Sequence, residues 1–265
     1  MLVVEADVTN AACHQEGKVM TRMNELHNEA PSRVAVRDMR TMWRVAAALV
    51  ITLGPLSILA IRAIMPYWTT DSPASIVSRS LANQAVLDIM VWSGLFFAPV
   101  LLFSVLAIAH VARRGSPLLA TIGGGLGFIG WSMGATTVNM DYLVSQLGAS
   151  GFDEATITGI GDALQNSTFA AVGGIIWLIG HILGMVLTGI ALGRAGIINW
   201  WVAGALMVSQ PFHFIAAVII PSRLLDVTLG WGMTTIASAF VSLAILRTTN
   251  DQWDLGPAAR VRATR

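Results

Sequence analysis

Two long apolar runs follow one another at residues 169–193 and 198–220, separated by a short turn that contains Arg194 and Gly196. A transmembrane helix needs about 20 predominantly apolar residues, and each run is long enough. The composition agrees, because 55% of the chain is hydrophobic and 12% is charged, whereas an ordinary soluble domain is about 25% charged. The two runs therefore predict a helical hairpin that crosses a bilayer twice.

Four further apolar segments extend this pattern to an all-α, polytopic transmembrane helical bundle of six spans. The predicted spans are residues 45–65, 87–110, 118–140, 169–193, 198–220 and 225–246. This membrane domain, 43–246, lies between two polar tails, 1–42 and 247–265. A short surface helix at residues 25–39 is one interpretation of the first tail, but its mixed charge favours disorder.

The basic residues predict the orientation of the bundle. Of the 16 lysines and arginines, three fall on the side opposite the predicted tails, namely Arg62, Arg79 and Arg223. Because cytoplasmic loops are enriched in basic residues, both termini are expected in the cytoplasm. The expected partner is the lipid bilayer, and the absence of a basic stripe argues against nucleic acid.

Glycines recur along one face of the third predicted span and continue into the fourth. They are Gly123, Gly127, Gly130 and Gly134 in the third span, and Gly180 and Gly184 in the fourth. Small residues at this spacing let two helix backbones approach closely. We expect tight packing between these spans, although the same faces suit contacts between chains, so a homo-oligomer stays open.

Two connecting segments predict short helices at the outer surface. Ser72 and Pro73 begin the first of them, within residues 71–85, as a cap and first helical residue would. In the second, Ile157, Ile160 and Leu164 recur at helical spacing, which indicates an amphipathic helix at the interface.

The charged residues near the predicted spans have simple explanations. Arg62 lies close enough to the outer end of its span to snorkel to the surface. Asp88 and Asp226 begin spans at their amino-terminal ends, where a carboxylate complements the helix dipole. Since no charged residue falls in the central part of a span, a proton pump with an acidic relay is disfavoured.

The deepest polar residues cluster around Pro211. Ser209 and Gln210 precede His213 by four and three residues, so either side chain can contact the imidazole on one helix face. One role for His213 is therefore to close hydrogen bonds around a proline kink. A second polar face is formed in the last span by Thr235, Ser238 and Ser242.

His181 and His213 together suggest a cofactor. Two imidazoles on neighbouring helices can hold a b-type haem or a metal ion. Counted from the outer ends of the spans, the two residues differ in depth by about five positions, or about 7.5 Å of helical rise. That difference argues against a direct pair and leaves packing as the alternative.

Asp141 and Asn139 are candidates for an outward-facing polar or cation-binding site. Asp141 is expected at the carboxyl end of the third span, where the helix dipole disfavours it, and on the glycine face. The alternatives are a solvated loop residue or an ion pair with Arg62 or Arg223.

Signals for enzymatic chemistry are missing. The sequence has no P-loop, dinucleotide fingerprint, nucleophile elbow or zinc-protease motif. Cys13 is the one cysteine, so neither an intrachain disulfide nor a thiolate metal cluster is expected. We expect no catalytic residues, and the balance leans against an enzyme.

The run at residues 180–208, GHILGMVLTGIALGRAGIINWWVAGALMV, resembles a segment of uncharacterised bacterial six-span membrane proteins. The shared pattern is a span ending in Gly-x-x-Leu, then Arg-x-Gly, then a tryptophan-bearing start to the next span. This resemblance implies six-span topology and a bacterial plasma membrane, and it implies no chemistry.

The sequence thus leads to two hypotheses of function. The first is a non-enzymatic membrane protein that binds or transports a small solute, or serves as a partner subunit, with Asp141, Asn139, Gln210 and Ser209 as the polar site. The second is a membrane redox protein that holds haem b or a metal ion between His181 and His213.

Overall fold

The computed structural model describes residues 38–136 and 139–254, and within these ranges the chain forms helices and no strand. The polar tails expected from the sequence lie mainly in 1–37 and 255–265, outside the described residues. The same holds for the helix considered within 25–39.

Eleven α-helices occur in the described ranges. They are α1 (Arg40–Ile64), α2 (Pro73–Ala82), α3 (Gln84–Ala112), α4 (Pro117–Thr136), α5 (Met140–Ala149), α6 (Glu154–Gln165), α7 (Thr168–Ala195), α8 (Trp200–Phe214), α9 (Arg223–Leu225), α10 (Trp231–Arg247) and α11 (Asn250–Asp254). Two π-helical turns, Ile215–Ile219 and Asp226–Gly230, follow α8 and α9.

Five helical segments are long and apolar enough to cross a membrane. They are Arg40–Ile64, Gln84–Ala112, Thr168–Ala195, Trp200–Ile219 and Arg223–Arg247. The all-helical, multi-pass architecture expected from hydropathy is therefore confirmed at this level. Helix α4 corresponds to the third predicted span but is not among the five.

The third predicted span, 118–140, differs from the structure at its carboxyl-terminal end. Helix α4 is described as far as Thr136, and a separate helix, α5, begins at Met140. The Asn139 side chain caps α5 by accepting a hydrogen bond from the backbone nitrogen of Tyr142. Asp141 consequently lies in the first turn of α5, where the helix dipole favours a carboxylate, and not at the end of a span.

Helices α2, α5 and α6 lie at one end of the bundle, which we call the capped end. Their apolar side chains pack around a buried cluster made by Val77, Leu87, Val144 and Ile157. Ser72 caps α2 by accepting from the backbone nitrogen of Ser75, as the sequence predicted. The amphipathic helix expected around Ile157 is α6, and its apolar face turns toward this cluster.

Large apolar side chains cover much of the surface of the spanning helices. Trp92, Leu95 and Phe96 on α3 are exposed, as are Phe169 and Ile175 on α7. An exposed apolar surface of this extent is what a helix bundle presents to lipid. The interior core combines small and large apolar side chains, mainly of α1, α3, α7, α8 and α10.

Helices α4 and α7 pack closely through the glycines that the sequence places on one face. A Cβ atom on Gly184 would lie 2.5 Å from the backbone nitrogen of Gly127. One on Gly130 would lie 2.5 Å from the nitrogen of His181. Only glycine allows the two backbones this approach.

The other glycines of this set line the same contact. A Cβ on Gly123 would meet Thr188 and one on Gly134 would meet the Trp177 ring, both residues of α7. Beyond the far end of α7, Gly196 adopts the left-handed conformation with φ of 66°, which a glycine takes without steric cost. That residue turns the chain from α7 into α8.

Candidate functional site

An ionised side chain is buried inside the bundle near the capped end. Asp226 has no solvent exposure. One of its carboxylate oxygens accepts a hydrogen bond from Nε of Arg62 at 2.6 Å, and the other accepts from Nδ1 of His213 at 2.5 Å. We call Arg62, Asp226 and His213 the buried triad. It joins α1, α8 and the turn between α9 and α10.

The triad overturns two expectations from the sequence. Arg62 does not snorkel to the surface, because its side chain is 10% exposed and its guanidinium pairs with Asp226. Asp226, expected only to complement the helix dipole at the start of its span, is fully buried and bonds to Arg62 and His213. Charges that leave water are tolerated only when paired and hydrogen-bonded, so each member of the triad depends on the others.

Irregular backbone surrounds the triad. His213 is followed within two residues by the π-helical turn Ile215–Ile219, and Asp226 begins the second π-helical turn. Gly230 ends that turn, and a Cβ there would lie 2.7 Å from Oδ1 of Asp226 and 3.0 Å from Cα of His213. Single π-helical turns within α-helices are frequent at functional sites.

His181 of α7 lies beside His213, with 6.4 Å between the ring centroids. The two rings are therefore close neighbours, although a difference in depth of about 7.5 Å, expected from the sequence, had argued against a direct pair.

Hydrogen bonds at Nδ1 define the tautomer of both imidazoles. Nδ1 of His181 lies 2.5 Å from the backbone oxygen of Trp177, which can only accept, so Nδ1 is the donor. His213 likewise donates from Nδ1 to the Asp226 carboxylate. In an imidazole that donates from Nδ1, Nε2 is the nitrogen that can carry the lone pair. Nε2 of His181 is buried and finds no hydrogen-bond partner in the part of the chain that the structure describes.

Three indole rings pack around the histidine pair. The Trp177 and Trp131 rings lie 4.7 Å and 4.9 Å from the His181 ring, between centroids. The Trp231 ring lies 5.4 Å from both the His213 ring and the Trp131 ring. The imidazoles are thus buried among aromatic rings.

Ser209 and Gln210 are fully buried but do not bond to His213. Ser209 donates to the backbone oxygen of Leu206 at 2.8 Å, and Gln210 donates from Nε2 to Oγ1 of Thr234 at 2.8 Å. The expected role of His213 in closing hydrogen bonds around the Pro211 kink is therefore wrong. Oε1 of Gln210 is buried without a partner among the described residues.

The polar face of the last span contains Ser238 and Ser242, as expected, but Thr234 takes the place of Thr235. Thr234, Ser238 and Ser242 are buried, whereas Thr235 is half-buried and donates to the backbone oxygen of Trp231. One residue rotates a helical position by about 100°, which is why the threonine was misassigned. Ser242 bonds to Thr52 at 2.8 Å and so ties α10 to α1.

Asp141 belongs to a second polar cluster at the capped end. Its carboxylate accepts a short hydrogen bond from the hydroxyl of Tyr67. Burial raises the pKa of the Asp141 carboxyl above its usual range, and burial also raises the pKa of the Tyr67 phenol. Within the described ranges Asp141 forms no ion pair with Arg62 or Arg223, and Asn139 serves as the cap of α5.

Tyr67, Trp68 and Arg223 connect this cluster with the triad. Nη2 of Arg223 donates to the backbone oxygen of Tyr67 at 2.9 Å. The guanidinium carbons of Arg62 and Arg223 lie 4.2 Å and 5.5 Å from the centre of the Trp68 ring. Polar contacts therefore run from Asp141 near the surface of the capped end to His213 in the interior.

Comparison with known proteins adds no assignment. Neither family models, nor curated proteins, nor solved structures match the chain. Among residues 38–136 and 139–254, no three histidine, cysteine, aspartate or glutamate side chains come together as a metal site. The functional assignment therefore depends on the geometry of the buried triad and of the histidine pair.

Proposed function

We propose that the chain is a six-span protein of a bacterial plasma membrane, with α4 as the third span and both termini in the cytoplasm. Helix α4 supports this topology because it packs along the whole glycine face of α7, itself a spanning segment. The excess of basic residues on the side of the tails supports the orientation.

Single cysteines test this topology. Cys13 is the one native cysteine, so Cys13→Ser provides a background without thiols. We expect a membrane-impermeant maleimide to label Ser150→Cys, between α5 and α6, in intact cells. Ser116→Cys, immediately before α4, is expected to react only after the membrane is opened. Labelling of both in intact cells would contradict six spans with this orientation.

Within that topology, the protein binds and passes a small polar solute through the capped end. The observation that carries this proposal is the buried triad, which keeps an arginine, an aspartate and a histidine between spanning helices. Ionisable residues in a membrane are costly and usually mark a ligand or transport pathway. The polar contacts from Asp141 through Tyr67 and Arg223 support an entry for the solute from the capped end.

The triad is suited to a hydrogen-bonding solute. Nη2 of Arg62 and Nε1 of Trp68 are buried donors without acceptors in the described ranges. A polar solute that supplies acceptors there would recover the cost of those unpaired groups, about 1–3 kcal/mol for each. This is the physical reason to expect solute binding at this position and not only structural pairing.

Osmotic reswelling of proteoliposomes tests solute passage without a known substrate. Vesicles are shrunk in small polyols, amides, amino acids or carboxylates, and light scattering follows solute entry. Wild-type vesicles should reswell faster in at least one class, and Asp226→Asn should abolish the difference. Asp88→Asn is the matched control, since Asp88 accepts from the neutral donors Gln84 and Ser145. Equal rates for wild type and Asp226→Asn would overturn the proposal.

A second function is supported by the histidine pair, namely a redox protein with a cofactor between His181 and His213. Metal-binding histidines usually anchor their other ring nitrogen on a carboxylate or a backbone carbonyl. His213 does so on Asp226 and His181 on Trp177. Both imidazoles are thus held in the form that ligates through Nε2.

Haem does not suit the space around this pair. A porphyrin between two axial imidazoles extends sideways well beyond the imidazole rings. Trp131, Trp177 and Trp231 pack within 5.4 Å of those rings, between centroids. The visible spectrum of the purified, dithionite-reduced protein tests this directly, and a Soret band lost in His181→Ala would contradict this steric exclusion.

A further inference from the structure

We propose that His181 and His213 bind one monovalent copper ion, Cu(I), in a two-coordinate site through their Nε2 atoms. This inference rests on the second proposed function and names its cofactor. It depends on the histidine pair and its aromatic surroundings, not on the passage of a solute.

The distance between the two imidazole rings suits a single bridging ion. A metal–imidazole bond is about 2.0–2.1 Å. Two such bonds in line, plus the distance from each nitrogen to the centre of its own ring, place two imidazole centroids about 6.4 Å apart. The centroids of His181 and His213 lie 6.4 Å apart. The separation of the two ring centroids therefore matches that of a linear two-imidazole site, in which both Nε2 atoms would face the ion.

The protonation of both rings also suits a metal ligand. Metal ions bind the deprotonated nitrogen of a neutral imidazole. The Trp177 carbonyl and the Asp226 carboxylate accept hydrogen bonds from the two Nδ1–H groups, so Nε2 is the ring nitrogen left to bind a metal in each histidine. Nε2 of His181 is buried and unpartnered among the described residues, as a ligand atom would be.

Coordination number and charge favour Cu(I) over a divalent ion. Divalent zinc prefers four ligands, and a third histidine, cysteine or carboxylate does not join the pair in the described ranges. Cu(I) accepts two ligands in line and carries a single charge. Indole faces attract a nearby cation, and Trp131 and Trp177 lie within 4.9 Å of the His181 ring. These surroundings favour a monovalent ion with few ligands.

Copper binding by the full-length protein in detergent tests the inference. Cu(I) is added under reducing conditions with bicinchoninate as a competing chelator, and bound copper is measured by mass spectrometry after desalting. One Cu(I) per chain is expected. His181→Gln and His213→Gln should each reduce the affinity at least tenfold. His110→Gln changes a histidine that packs against Trp253 of α11, and it should leave the affinity unchanged.

X-ray absorption distinguishes the bridge from other copper sites. The expected signature is two nitrogen ligands and no sulfur. Copper that persists in the His181→Gln/His213→Gln double variant, or sulfur ligation by Cys13 or methionine, would overturn the assignment. No bound copper in a folded wild-type protein would also overturn it. A reducible haem spectrum would reject copper but keep the histidine pair as a cofactor site, so the two failures differ.

Discussion

Replacing Asp226 by asparagine should destabilise the protein far more than a typical polar substitution. In the native protein the two carboxylate oxygens accept from Arg62 at 2.6 Å and from His213 at 2.5 Å. An asparagine has one acceptor oxygen, so its amide nitrogen must face one of those two donors. If the oxygen stays with His213, the Arg62 guanidinium is left buried without a counter-charge.

The magnitude follows from burial. Asp226 is 0% exposed and the Arg62 side chain 10% exposed, so water compensates little for the lost partner. Breaking a buried ion pair by removing one member costs about 3–5 kcal/mol. For a chain of this size each kcal/mol lowers Tm by about 2–4 °C. Asp226→Asn should therefore lower the apparent Tm in detergent by roughly 6–20 °C.

Two further variants make this prediction specific. Asp88→Asn should cost about 1 kcal/mol, because Asp88 accepts only from neutral donors and lies near the capped end. Arg62→Gln combined with Asp226→Asn should be more stable than Asp226→Asn alone, since the unpaired guanidinium is gone. A loss in Asp226→Asn no larger than in Asp88→Asn would refute the reasoning, as would a double variant less stable than the single one.

Three other substitutions test different parts of the structure. Gly130→Ala should lower stability by about 1–3 kcal/mol, because the new Cβ would meet the α7 backbone. Gly94→Ala should raise stability slightly, because no atom lies within 4 Å of its Cβ position and alanine favours a helix more than glycine does. Thermal unfolding compares the two variants. The pKa of Asp141 is higher in the folded protein than in the unfolded chain, so its protonated carboxyl stabilises the fold at low pH. This stabilisation is lost as the pH rises through the folded pKa. Asp141→Asn should therefore flatten the fall of Tm with rising pH. Gln210→Met should change stability by less than about 1 kcal/mol, because it removes the hydrogen bond to Thr234 together with the buried, unpaired Oε1. A larger loss in thermal unfolding would show that Oε1 has a partner.

The sequence predicts the helical framework well because a bilayer imposes a simple rule. Each span needs about 20 apolar residues, and five helical segments of the structure satisfy that rule. Caps are also local, so Ser72 could be assigned from its neighbours. The break before Met140 was missed because hydropathy was followed through to Met140, although Asn139 is a local capping signal.

The site was harder to predict because its contacts join residues that are distant in sequence. Arg62 and Asp226 are separated by 164 positions, and each has a sufficient local explanation at the end of a span. The ion pair between Arg62 and Asp226 becomes evident only in the folded structure, where α1 lies beside the start of the last span. The one available signal was that both residues fall at the same predicted end of the bundle.

The position of the histidine pair depends on packing that small residues allow. Gly130 lets the backbone of His181 approach α4 to contact distance, and this approach brings the Trp131 ring to 4.9 Å from the imidazole. Gly230 likewise leaves room for His213 beside Asp226. A larger residue at Gly130 or Gly230 would push the neighbouring helices apart and so separate the two imidazole rings, although every polar side chain of the site would still be present. The glycines therefore matter to the proposed site as much as the histidines do, since they set the 6.4 Å separation.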